Sequence, residues 1–208
     1  MTRSLTAIWL IIFCSVLVWS AISPRDYPTW VLEVLPAVIA LIIMASTRKT
    51  FPLTPLLYTL ILIHCVILMV GGHYTYAEVP AFDRLSELLG WERNNYDKLG
   101  HFAQGFTPAI VAREILIRNE VVNGRVWLSF IVVSICLAVS AFYELIEWWV
   151  AILYGGSAEQ FLGTQGYEWD TQSDMGLAML GSIIALSTLS ALHDRQLKQV
   201  INQNNKEI

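Results

Sequence analysis

The chain has 208 residues, of which 55% are hydrophobic and only 14% charged, with a net charge of -4 at pH 7 and a mean hydropathy of +0.54. A soluble domain carries about 25% charged residues, so the composition excludes a water-soluble globular protein, and there is no basic patch for nucleic acid. Cys14, Cys65 and Cys136 all lie in apolar runs, which argues against a disulfide framework.

A hydrocarbon core of about 30 Å takes roughly 20 helical residues to cross. Runs of that kind recur along the chain, predicting an all-α, polytopic transmembrane helix bundle of about six spans that forms one integral membrane domain over 1–208. The first span, about 5 to 22, has an apolar run longer than the 7–15 residues of a signal peptide. Trp19 also stands where a cleavage site needs a small residue, so the expectation is an uncleaved anchor. The second, about 30 to 46, contains Pro36, which neighbouring helices can accommodate in a membrane. The third runs from about 53 to 72, and the connection after it contains "AEVPAFDRLSELLGWERNNY". Here Pro80 opens and Gly90 closes a short helix, Pro80 to Leu89, with Phe82, Leu85, Leu88 and Leu89 on one face. It should lie on the outer surface as an amphipathic segment. The remaining spans run from about 98 to 117, 126 to 153 and 174 to 192. The glycine-containing stretch "LYGGSAEQFLGTQGYEWDTQSD" between the last two is a loop able to fold back over the helix ends.

Basic residues orient the bundle. With the N-terminus cytoplasmic, the inner segments hold Arg3, Arg48, Lys49, Arg113, Arg118, Arg125, Arg195, Lys198 and Lys206, against Arg25, Arg84, Arg93 and Lys98 outside. The positive-inside rule therefore places both termini in the cytoplasm. Acidic residues, which hardly steer topology, concentrate at the other side, and Trp19, Trp30, Trp148, Trp149 and Trp169 form an outer interfacial belt.

This topology brings polar residues of four spans to the outer face. His73 ends the third. Asp97 and His101 in "YDKLGHFAQGF", Glu144 and Glu147 in "FYELIEWW", and Asp170 and Asp174 in "YEWDTQSDMG" are pairs one helical turn apart. Glu144 lies about 4.5 Å deeper than Glu147, and charged groups at that depth face a bundle interior and need partners. The Lys and Arg nearby are too few for five clustered carboxylates, leaving two solutions: a bound cation or retained protons. Carboxylates with imidazole suit a divalent metal, Zn, Mn or Fe by the histidines and Mg or Ca by the acids. Structural roles compete for single residues. Asp97 and Asp170 can be helix N-caps, Lys98 can snorkel to the interface, His64 can satisfy a neighbouring helix, and His193 suits a helix C-terminus.

No G-x-S-x-G elbow, H-E-x-x-H pair or P-loop occurs, so no nucleotide cofactor is expected. At "YDKLGHFAQGF", "FYELIEWW" and "YEWDTQSDMG" the chain resembles the YjdF-type bacterial inner-membrane proteins over its whole length. That resemblance implies a multi-span plasma-membrane protein among membrane lipids and implies no particular reaction. The element Asp97, Lys98, His101, Phe102 is also similar to one in VanZ-like membrane proteins. The expected activity is metal-dependent hydrolysis of a lipid-linked or envelope substrate. The alternatives are a cation- or proton-coupled transporter and a non-catalytic envelope accessory protein.

Overall fold

The computed structural model describes residues 3–154 and 165–207. The centre of the connection expected to fold back over the helix ends, 155–164, lies outside these residues. Among the described residues every regular element is a helix: α1 (Arg3–Ser20), α2 (Tyr27–Thr47), α3 (Pro55–Tyr74), α4 (Pro80–Leu89), α5 (Tyr96–Arg118), α6 (Arg125–Tyr154) and α7 (Asp170–Glu207).

Local chemistry sets the helix ends. Asp26 caps α2 by accepting from the Thr29 N–H at 2.8 Å and the Thr29 hydroxyl at 2.7 Å. Proline occupies the first turn of α2, α3 and α4, where its missing N–H costs nothing. Gly90 closes α4 at φ 67 and donates its N–H to the Ser86 carbonyl. The bounds of α4 are those read from the sequence. Its apolar side chains divide, however: Phe82 packs on the Tyr96 ring at 5.1 Å while Leu88 is 83% exposed. α2 starts earlier than expected because of the Asp26 cap, and α7 starts at Asp170 rather than near 174 and runs on to Glu207.

α2, α3, α6 and α7 are long and apolar enough to cross a membrane, and α1 is apolar but shorter. α5 is long enough but polar along one side, and it occupies the centre of the packing, against α3, α6 and α7. Its contact with α7 is the most extensive. There is a steric reason. A Cβ at Gly105 would collide with the Ala178 carbonyl, and one at Gly181 with the Phe102 carbonyl, so the two backbones touch where small residues permit it. Cys136 on α6 adds a contact from its thiol to the Gly105 carbonyl at 3.6 Å. Phe13, Ala37, Leu57, Met69, Ile110, Val132 and Ala185 are buried at the centre. Large apolar side chains such as Ile11, Ile42, Phe130 and Leu153 point outward, as lipid-facing surfaces require.

Candidate functional site

The close approach of α5 and α7 aligns their first turns side by side. Asp97, Lys98 and His101 from α5 therefore face Asp170, Ser173 and Asp174 from α7. α6 supplies Glu144 and Glu147 from its inward face, while Leu145, Trp148 and Trp149 on its other face are exposed. α2 supplies Glu33, which accepts from the Tyr143 hydroxyl at 2.9 Å. All six carboxylates, Glu33, Asp97, Glu144, Glu147, Asp170 and Asp174, are buried.

Two cations answer some of this charge. Lys98 Nζ donates to Asp170 Oδ1 at 2.8 Å, to Asp174 Oδ1 at 2.7 Å and to the Ser173 hydroxyl at 2.8 Å. Arg93 Nη1 also donates to Asp170 Oδ1 at 2.8 Å. The Lys98 ammonium, expected to snorkel to the interface, is paired with the buried carboxylates of α7. Asp170 is matched by these two cations and stands apart from the rest. Both basic groups lie over the Tyr167 ring, Arg93 at 5.5 Å and Lys98 at 5.3 Å.

His101 is the centre of the remainder. Its Nε2 lies 3.4 Å from Asp97 Oδ1 and 3.9 Å from Asp174 Oδ2, and its Nδ1 lies 3.2 Å from Gln104 Oε1 and 3.8 Å from Glu144 Oε1. Potential ligand atoms of Asp97, His101 and Asp174 fall within 4.8 Å of one another, as do those of His101, Glu144 and Glu147. This buried cluster is able to hold a metal ion. Among the described residues, Asp97 Oδ2 and Glu144 Oε1 are buried without a hydrogen-bond partner, although Asp97 Oδ2 lies 4.0 Å from both basic groups.

The three pairs read from the sequence thus converge. His73 does not join them. Its Nδ1 lies 3.0 Å from the Ser20 carbonyl and its ring packs on Trp19 at 4.6 Å, so it ties α3 to α1. Glu33, Tyr143, Gln104 and Tyr76 were not singled out from the sequence. The available signal for Glu33 was an acid inside an apolar run. Burial, with Glu33 beside it, pushes the Tyr76 phenol up well above its ordinary range, keeping it a neutral wall of the cavity. That cavity, about 230 Å³, is lined by Glu33, Tyr76, Asp97, His101, Tyr143 and Glu147, with Pro36, His64, Leu68 and Pro108 at its apolar end.

Hydrogen bonds tie the connection between α4 and α5 to the segment ahead of α7. Asn94, buried between α4 and α5, donates to the Val79 carbonyl at 3.0 Å and to Asp83 Oδ1 at 2.7 Å, and accepts from the Tyr96 N–H at 3.1 Å. Gln165, ahead of α7, makes paired bonds to the Asn94 backbone at 3.1 Å and 2.8 Å.

Residues 5–195 match the family described as predicted membrane protein (DUF2238). The chain belongs to this family. It is also 53% identical over 184 residues, 88% of each chain, to the inner membrane protein YjdF of Escherichia coli (strain K12). The DUF2238 match and the apolar helices together make this an integral membrane protein. No solved structure matches, and the short VanZ-like similarity is not among what these comparisons show.

A second buried charged group occupies the other ends of α5 and α7. Glu114 accepts from the Thr54 hydroxyl at 2.9 Å, from His193 Nε2 at 2.9 Å and from Arg118 at 3.0 Å. Arg113 donates to His193 Nδ1 at 2.7 Å and to Asp194 at 2.6 Å. An arginine N–H on Nδ1 makes that nitrogen an acceptor, so the proton sits on Nε2 and the imidazole is neutral. His193 is therefore part of a network that locks α5, α7 and the start of α3, not the lone helix-end residue its position suggested.

Proposed function

We propose that the chain is a six-span inner-membrane protein with both termini cytoplasmic. Its outer end holds a divalent cation between Asp97, His101 and Asp174, and the site hydrolyses a lipid-linked or envelope substrate. The observation that carries this reading is the convergence of two ligand groups on one histidine, with one carboxylate oxygen each of Asp97 and Glu144 buried and lacking a hydrogen-bond partner among the described residues. Among the described residues, the six buried carboxylates meet Arg93 and Lys98 as permanent cations, an imbalance that low dielectric makes costly. The histidine supports the placement. In the tautomer whose Nδ1–H is directed to Gln104 Oε1, 3.2 Å away, the Nε2 lone pair is left for a cation beside Asp97 and Asp174, the orienting arrangement common to metal-bound histidines.

A cation there supplies Lewis acidity and an acidified water. Glu144, 3.8 Å from His101, is placed to take a proton at its free Oε1. Lys98 and Arg93 hold Asp170 and the second oxygen of Asp174 so that α7 presents its ligand at a fixed position. Zn, Mn, Fe and Mg all suit this donor set.

The test is metal analysis of protein purified without chelator and supplied with each of these metals. Asp97→Asn, His101→Ala and Asp174→Asn should each lower metal content. Wild-type protein that retains none and gains no thermal stability from any of them sinks the reading. The second reading, a cation- or proton-coupled transporter, draws its support from the Glu114–His193–Arg113 network at the far end of the same two helices. It is separated from the first by uptake into proteoliposomes driven by an imposed ion gradient.

A further inference from the structure

Below the acidic cavity lies a larger one, about 500 Å³, walled by α2 and α5 and floored by α3. The two share Pro36, His64, Leu68 and Pro108 as lining residues, so they form one continuous groove. Its character changes along its length. The upper part presents Glu33, Asp97, His101 and Glu147; the lower part presents Ala40, Ile43, Met44, Ile61 and Val111 and ends at Thr47, Phe51 and Asn119. The junction is made by the interior prolines of α2 and α5, each of which lacks an N–H and frees a carbonyl one turn earlier.

His64 is the one imidazole shared by both parts, and its Nε2 is buried without a hydrogen-bond partner. Following α2 from Glu33 to Thr47 at about 1.5 Å per residue gives a length of about 21 Å, within a hydrocarbon core of about 30 Å. The lower part, about 500 Å³ and lined almost wholly by apolar side chains, has room for a hydrocarbon chain. Polar at one end, apolar at the other and set within the spans, the groove matches an amphiphile.

We infer that this groove holds the hydrocarbon tail of a substrate amphiphile whose anionic head meets the acidic and histidine cluster through its bound cation. This rests on the cation reading of that cluster for the head and on the groove alone for the tail. His64 meets a hydrogen-bonding group of the amphiphile below its head, such as an ester oxygen.

The probe is a long-chain alkyl phosphate carrying a diazirine at the tail end, photolysed with the full chain in lipid nanodiscs, followed by peptide mapping. Crosslinks should concentrate on Thr47, Phe51, Ile115 and Asn119 at the far end of the groove. An unlabelled long-chain alkyl phosphate should compete at least about tenfold better than a short-chain one, a difference of about 1.4 kcal/mol. Val111→Trp, which fills the groove, should abolish this labelling while leaving metal content unchanged. Ile43→Trp does the same from a residue already 55% exposed, where added bulk does not threaten folding. Labelling spread over outward residues such as Ile11 and Leu153, indifferent to chain length and to both variants, overturns the groove. Labelling that depends on the groove but survives chelator and Asp97→Asn upholds the tail site and removes the cation from the head.

Discussion

Lys98 on α5 and Asp174 on α7 are joined by a 2.7 Å ion pair in the interior of the bundle, and Asp174 is only 2% exposed. Removing one partner of a buried pair leaves the other uncompensated, a loss of about 3–5 kcal/mol. Lys98→Met should therefore lower the unfolding midpoint sharply in detergent. Adding Asp174→Asn to it should recover part of the loss, a coupling that a double-mutant cycle reads directly. Purely additive losses would show that the pair does not hold α5 to α7.

Gly105→Leu and Gly181→Leu should each be worse than any apolar substitution on the lipid face, because the new side chain meets backbone rather than a flexible side chain. The expected loss is about 3 kcal/mol or more, beyond the usual 1–3 kcal/mol of overpacking. Ile42→Leu, at a residue 60% exposed, is the control and should change the midpoint little.

At the other end, nitrogen-15 spectra of the His193 ring should show Nε2 protonated and Nδ1 bare, as the Arg113 contact at 2.7 Å requires. Glu114→Ala leaves Arg118 and His193 without their shared acceptor and should cost about 3–5 kcal/mol. Metal content should be unaffected, since the two clusters lie at opposite ends of α5. A parallel fall in metal content would tie the clusters together.

A bound cation should also appear as stability. At free metal about one hundredfold above the dissociation constant, binding to the native state adds about 2.7 kcal/mol, raising the unfolding midpoint. His101→Ala and Asp97→Asn should lose this increment, while His73→Ala should keep it, because His73 is bound to Ser20 and Trp19 away from the cluster.

The six-span topology is checked by reporter fusions after Lys198 and within α4, at Glu87. The first should be active only as a cytoplasmic reporter and the second only as an external one. External activity at Lys198 would put α1 or α5 outside the membrane and require a different count of spans.

Much of this architecture was written along the chain. Apolar runs fixed the long helices, Pro80 and Gly90 fixed α4 to the residue, and the turn spacing of Asp97 with His101, Glu144 with Glu147 and Asp170 with Asp174 placed each pair on one face. Those are local properties, set by helical geometry and by the hydrophobic length of a span. What the sequence left open was which faces meet. α5, read from the sequence as the span at about 98 to 117, is less apolar than the four helices long and apolar enough to cross a membrane, and nothing in its sequence marks it as the helix at the centre of the packing, where Gly105 and Gly181 let its backbone touch α7. That contact turns Lys98 inward, assigns Asp170 to Arg93 and Lys98, and brings Arg113 onto His193. Glu33 enters the cluster for a similar reason, since its position depends on how α2 lies against α3 and on the Tyr143 hydroxyl from α6. Helix periodicity names the candidates from residues three and four apart, but the partners of a buried charge lie tens of residues away, and only close packing of the helices selects them.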